Sequence, residues 1–384
     1  MSHQSIDPLL ARVQERTALW RRYAHAAERL TRLPDEVVRS LIELELFRLW
    51  IPQRHGGLEL DLPRTLQIYE AVAAADGSVG WAVMIGAGGG LFAAYLEADA
   101  ADRLFAHKDA LIAGSGAPDG RAERVAGGYR ASGRWRYASG AHYASTFTAS
   151  CVVTNDGVPA MDADGTPLIR AMAFAPGQVT IIPTWNVSGL RGTGSHDFEV
   201  ADAFVPEQHT FSVFTDVPRE SGPLYRLPFD VLTQLPIAAV ALGIARHALQ
   251  SFAALARSKK SSVSRALLID DPLTQHRYAE SHAQWRFAQA RVHALAASVW
   301  QRTLAARELS AHELAEITAT CCSCLAQLNI SIGDLARLTG MTAIAMEHDF
   351  ARAWRDLQAL SAHVAISPYR MAAAGRTLLA SSSD

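Results

Sequence analysis

The hydrophobic period of this chain changes twice, and those two changes restrict its architecture more than any single motif. Up to about residue 110, apolar residues recur at helical spacing. Leu10, Val13, Leu19, Tyr23, Ala26 and Leu30 line one face of residues 9–32, with Arg and Glu between them. Pro34-Asp35 opens a second helix through Leu41, Leu44 and Phe47, since proline suits an entry turn. A third helix is expected over 63–75. After the break at Asp76-Gly77-Ser78 an apolar stretch covers 79–95.

From Leu111 the texture changes to Gly, Ser, Thr, Val and aromatic residues. Turns are expected at Pro118-Asp119-Gly120, Gly127-Gly128, Asn155-Asp156-Gly157 and Asp164-Gly165. Tyr129, Ala131, Gly133, Trp135 and Tyr137 alternate with polar neighbours, as in a half-exposed strand. Residues 148–154, 171–175, 179–182, 197–200 and 203–205 read likewise. After Ser221-Gly222-Pro223 the helical period returns, over roughly 230–256, 272–305, 311–339 and 343–364. The expected organisation is a helical domain over 1–110, a β-domain over 111–222 and a four-helix bundle over 223–384.

Composition excludes several classes. At 384 residues, 49% of them apolar and 19% charged, the chain has ample core for more than one domain. A net charge of −2 without a long basic tract gives nucleic acid no footing. The one concentrated positive segment is 257–265, which suits a solvated helix end or a phosphate site. Cys321, Cys322 and Cys324 crowd one helix and Cys151 lies apart, a pattern of reduced thiols in a cytoplasm rather than of disulfides or a metal site. No signal peptide, membrane span or metal site is expected.

Between two strand patterns lies Gly189-Leu190-Arg191-Gly192-Thr193-Gly194-Ser195-His196-Asp197. Its glycines let backbone approach a ligand closely, although a polar β-loop would read the same. A G-x-G-x-x-G pattern from Gly86 fails because position 91 is Leu, so no NAD(P)H site is expected.

Five segments in order carry a resemblance. They are Phe47-Arg48-Leu49-Trp50-Ile51-Pro52 with Gly56-Gly57, Asp76 to Trp81, Gly127 to Gly140, the Gly189 loop, and Arg355-Asp356 with His363. Together they resemble the acyl-CoA dehydrogenase fold superfamily over essentially the whole chain. The closer resemblance is to its two-component monooxygenases, which use reduced flavin made by a separate reductase. The fold so implied is mainly α: an N-terminal helical domain, a middle β-barrel or sandwich domain, and a C-terminal four-helix bundle.

The dehydrogenases of that superfamily need a carboxylate to remove the proton alpha to a thioester. One family position for it, eight residues beyond Asp356, is Val364 here; the other, the first bundle helix, has no Asp or Glu from Val231 to Ala256. The resemblance therefore implies an oxygenase, which would use reduced FMN or FAD and O2, through a C4a-hydroperoxyflavin, on an aromatic or nitrogen-containing small molecule. His363 is the implied base, near neutrality by its ordinary pKa of about 6.5. Ser139 is implied beside the flavin N5/C4a edge. Trp135 is implied near the ring, and Arg191, Thr193, Ser195 and Arg265 toward the cofactor and its phosphates. His142 faces either the cavity or the surface. Gly88-Gly89-Gly90 stand where some of these oxygenases carry a second His, leaving room in the pocket. Segment 257–275 lacks the Phe-Gly pair of FAD-binding dehydrogenases, which leaves FMN and FAD both open. A homotetramer is implied by resemblance. Two other readings stay open: an acyl-CoA dehydrogenase or oxidase with a relocated base, and a non-catalytic relative.

Overall fold

Asp7 starts the first helix: its carboxylate accepts the N–H groups of Leu9 and Leu10, and Pro8 occupies the first turn. The result is α1 (Pro8–Leu30), in a computed structural model that describes residues 7–261 and 264–381. Four more helices follow: α2 (Asp35–Glu43), α3 (Leu62–Ala73), α4 (Gly77–Gly90) and α5 (Ala98–Phe105). Asp61 caps α3 at the N–H of Arg64, and Asp76 caps α4 at the N–H of Val79. The short α5 is not marked in the sequence pattern.

The strands are β1 (Ile112–Val125), β2 (Gly128–Ala138), β3 (Thr146–Asn155), β4 (Val158–Pro159), β5 (Ile169–Phe174), β6 (Thr180–Ile182), β7 (His196–Pro206) and β8 (Thr210–Phe211). They form one eight-stranded sheet in the order β6-β7-β2-β1-β3-β5-β8, with β4 paired to β3. Only β1 and β3 run parallel. The turn expected at Pro118-Asp119-Gly120 is instead a bulge inside β1, where the register with β3 shifts between Ser115 and Gly120. Gly120 is required there because a Cβ would sit 2.0 Å from the Trp135 indole. The two short strands expected over 197–205 are one strand, bent at Asp202 with φ 48°.

Beyond the sheet come α6 (Val231–Ala256), α7 (Pro272–Leu304), α8 (Ala311–Leu338), α9 (Asp349–Ser361) and α10 (Pro368–Ser381). The helix expected over 343–364 is shorter. A 3-10 turn occupies Gly340–Ile344, His348 caps α9 at the N–H of Phe350, and the helix stops at Ser361. His363 therefore lies past the helix, and α10, packed on α8, is a fifth member of this group.

The helices before and after the sheet share one continuous hydrophobic core, whereas the sheet has its own. Close packing of α3 on α6 joins the two helical regions: a Cβ on Gly243 would lie 2.3 Å from the carbonyl oxygen of Glu70. This core also revises the reading that no segment is apolar enough to cross a membrane. Gly77–Ala94 and Val231–Ala256 are long and apolar enough, and they are 83% and 89% buried inside the protein. Their apolar surface is used by the core. The four cysteines are free thiols, and no cluster of metal-ligating side chains occurs among the described residues.

Candidate active site

From Gly189 onward the β6–β7 loop is largely buried where the two cores meet, and several bonds hold it there. Leu190 donates its N–H to Asp356 Oδ1 at 2.6 Å, and Gly192 donates to Ser78 Oγ at 3.1 Å. Gly140 donates its N–H to the carbonyl of Thr193 at 2.9 Å, tying the loop to the end of β2. Gly189 passes so near α9 that a Cβ would lie 2.0 Å from the Arg355 carbonyl oxygen. The glycines serve close packing against protein, and the loop is a junction between α1, α4, β2 and α9.

Arg191 takes part in that junction. Its Nε donates to the Glu28 carbonyl at 3.2 Å and an Nη to the Val187 carbonyl at 2.8 Å. Two of its five N–H groups are engaged on the chain in this way, so Arg191 helps to hold the junction, and a phosphate contact would use the remaining three.

Thr193, Ser195 and Ser139 form a buried line of hydroxyls. Thr193 donates to the Leu190 carbonyl at 2.8 Å; Thr193 and Ser195 are 2.7 Å apart, as are Ser195 and Ser139. The indole N–H of Trp81, on α4, donates to Ser139 Oγ at 3.0 Å. Trp81 in turn meets the His363 imidazole edge-on, with ring centroids 5.4 Å apart. One indole thus connects Ser139 and His363, which lie on different domains. The sequence reading named both ends of this arrangement but missed Trp81; its only signal was the Gly80-Trp81 pair at the start of an apolar helix.

His363 caps the 3-10 turn Val364–Ile366, and its Nδ1 accepts the N–H of Ala365 at 3.2 Å. An accepting Nδ1 assigns the neutral proton to Nε2, which makes no hydrogen bond among the described residues. Burial lowers its pKa below the ordinary histidine value, so the ring is neutral near pH 7. In this geometry the free nitrogen is a donor. A base at Nε2 requires the opposite tautomer, which sets two N–H groups against each other at Ala365.

Three other expectations change. Trp135 is wholly enclosed in the sheet core, stacked on Phe198 at 5.2 Å, with its N–H on the Ser150 carbonyl; it has no open face for a flavin ring. The aromatic that does stand open is Tyr137, 62% exposed, with φ 71° and edge-on to Trp185. A positive φ on a large side chain is strained, and such strain gathers at functional sites. Arg265 is exposed in the α6–α7 connection, also at positive φ, beside residues 262 and 263 of the 257–275 segment, which lie outside the described residues. His142 is exposed at its outer side, edge-on to buried His196 at 5.0 Å, and the partial desolvation on its inner side, then His196 and Arg32, lower its pKa.

The three consecutive glycines leave less room than expected. Cβ atoms on Gly89 and Gly90 would lie 2.7 Å from Ile112 and Ile51, and only Gly88 faces open space. Neither dehydrogenase base position holds a carboxylate: Val364 is 72% exposed, and α6 has none along its length. Buried Asp356 is closed off by Leu190, and its pKa is pushed up to about 7 by burial and by Asp76.

A core shared by flanking helices, a sheet domain between them and a junction of hydroxyls and imidazole define a protein of the acyl-CoA dehydrogenase type. Residues 12–102 match the family model for the acyl-CoA dehydrogenase N-terminal domain, and residues 235–368 match that for its C-terminal domain. The chain is 29% identical to indole-3-acetate monooxygenase of Pseudomonas putida over 88% of its length and 84% of the relative. It is also 29% identical to the flavin-dependent monooxygenase oxygenase subunit HsaA of Mycobacterium tuberculosis, over 95% and 92%. The crystal structure of 3-HSA hydroxylase from Rhodococcus sp. RHA1 superposes with a TM-score of 0.87 at 26% identity, covering 97% of this chain and 96% of that one. The chain belongs to the acyl-CoA dehydrogenase fold superfamily, in its branch of flavin-dependent monooxygenases.

Proposed function

We propose that this protein is the oxygenase component of a two-component system, taking reduced flavin from a separate reductase and hydroxylating an electron-rich aromatic or nitrogen-containing small molecule. The observation that carries the reading is the Trp81 bridge between Ser139 and His363, combined with the absence of a carboxylate at either dehydrogenase position. Indole-3-acetate monooxygenase among the relatives favours an aromatic substrate.

The residues present fit a flavin. Ser139 Oγ accepts one hydrogen bond from Trp81 and has a second lone pair for a ring N–H, while Tyr137 offers an exposed aromatic face nearby in sequence. When bound, reduced flavin supplies the activation of dioxygen. Ser139 holds the flavin edge, and the hydroxyl line behind it fixes Ser139. The His363 Nε2–H donates to the oxygen or nitrogen of the substrate and orients its ring. Burial of Trp81 and Ser139 keeps water from this junction, which strengthens each of these bonds.

A homotetramer and a cytoplasmic setting form part of the proposal. Phe287 on α7, Ile330 on α8, and Met341 and Ile344 in the turn after α8 leave apolar surface exposed, which supports association with further copies.

The test is turnover of phenols, indoles and aromatic amines by the purified protein with a generic flavin reductase under 18O2. One labelled oxygen in the product is expected. Release of only hydrogen peroxide across all three substrate classes, with either FMN or FAD, would overturn the reading.

A further inference from the structure

Three oxygen–oxygen contacts run from Ser139 to the Leu190 carbonyl: 2.7 Å from Ser139 to Ser195, 2.7 Å from Ser195 to Thr193 and 2.8 Å from Thr193 to Leu190. Each contact needs one hydrogen, and the three hydroxyls hold three. The carbonyl at the end holds none, so the Thr193 hydrogen lies on Leu190. The Ser195 hydrogen must then lie on Thr193, and that of Ser139 on Ser195. No other assignment gives every contact a hydrogen. At the near end, Trp81 donates into Ser139. All four side chains are buried, Thr193 and Ser195 at 0% and 3% exposure, so water does not relieve a wrongly placed hydrogen.

We propose that Thr193 and Ser195 act as positioning residues that turn Ser139 into an obligate acceptor, and that the site thereby selects flavin by the hydrogen on N5. The inference rests on the placement of Ser139 beside N5 in the proposed function. Ser139 has spent its hydrogen on Ser195 and meets the flavin with a lone pair only. Reduced flavin presents an N–H at N5 and satisfies that lone pair. Oxidised flavin presents a second lone pair, and accommodating it leaves a buried oxygen contact without a hydrogen. An enzyme that receives reduced flavin by diffusion and must release the oxidised form needs this discrimination.

The experiment measures dissociation constants of oxidised and of anaerobically reduced FMN and FAD for the full chain, with the midpoint potential of the bound flavin as a second readout. Wild type is expected to bind the reduced form at least tenfold more tightly, with roughly tenfold matching one buried hydrogen bond. Thr193→Val removes the anchoring hydrogen, and Ser195→Ala removes the acceptor of Ser139. In either variant Ser139 can turn its hydrogen to N5. Oxidised flavin should then bind more tightly, the ratio should fall about tenfold, and the potential should fall by about 30 mV. Thr193→Ser keeps the polarity and should keep the ratio. A general loosening of the fold would weaken both flavin forms together, which this pattern excludes. Should Thr193→Val fail to fold, Ser195→Ala decides. A wild-type ratio in the folded variants overturns the inference while leaving the flavin site intact. Failure of wild type to bind any flavin overturns the proposed function itself.

Discussion

The backbone N–H of Leu190 reaches the buried carboxyl of Asp356 across 2.6 Å, and this bond, with that from Arg355 Nε to the Ser188 carbonyl at 2.9 Å, ties the β6–β7 loop to α9. Asp356 carries a pKa of about 7, raised by burial and then by Asp76. Its native form holds a proton more tightly than the unfolded chain does. Its contribution to stability is therefore full in acid and is lost as pH rises from about 4 toward 7. Asp356→Asn keeps an acceptor for Leu190 and does not titrate. Thermal melts between pH 5 and 8 should show the variant gaining on wild type as pH rises. A difference that does not vary with pH would reject this account.

His363 divides the donor role from the base role. Its Ala truncation should lower product formation by about 10–100-fold, the scale of one lost polar contact to the reacting molecule. His363→Gln still offers an N–H and should recover part of that loss, whereas a missing base would not be replaced by an amide. Rates of labelled-product formation for the two variants make the comparison. Equal inactivity of Gln and Ala would restore the base reading.

Arg191→Ala removes two bonds to backbone carbonyls at the junction of α1 and the loop. Denaturant unfolding should show a loss of about 1–3 kcal/mol, because the abandoned carbonyls are partly buried. Flavin affinity of the folded variant should be unaltered. Weaker flavin binding at unchanged stability would return Arg191 to the phosphate.

Two glycine substitutions should act in opposite directions. Gly189→Ala forces a Cβ to within 2.0 Å of the Arg355 carbonyl oxygen and should destabilise by about 3 kcal/mol through overpacking. Gly88→Ala, in α4 and facing open space, should stabilise by about 0.5–1 kcal/mol, the helix preference of Ala over Gly. Calorimetry on both variants checks the sign. A stabilised Gly189→Ala would mean that the loop is not packed as described.

Much of the architecture is set by the sequence alone, because it rests on local rules. The change from helical to alternating spacing near Leu111 and back near Ser221 marks the sheet domain, Pro34-Asp35 marks a helix start, and Asp76-Gly77-Ser78 marks a break between two helices. The missing carboxylate on α6 is equally a property of the sequence, and it directs the reading from dehydrogenase to oxygenase. Ser139, Thr193, Ser195 and His363 are recognisable as candidates from their place in motifs.

Their roles depend on partners distant in sequence, which only the tertiary structure supplies. Arg191 reads as a phosphate donor from its loop alone, and the approach of Glu28, 163 positions away, places its Nε on a backbone carbonyl. Trp135 and Tyr137 stand two residues apart on one strand, yet one fills the sheet core and the other stands 62% exposed with a strained backbone. The Ala365 N–H decides which nitrogen of His363 carries the proton. The direction of the hydroxyl line is decided by the Leu190 carbonyl at its end and by an indole from another domain at its head. Spacing along a chain determines which side chains share a face; where each hydrogen goes is settled by what folds against that face.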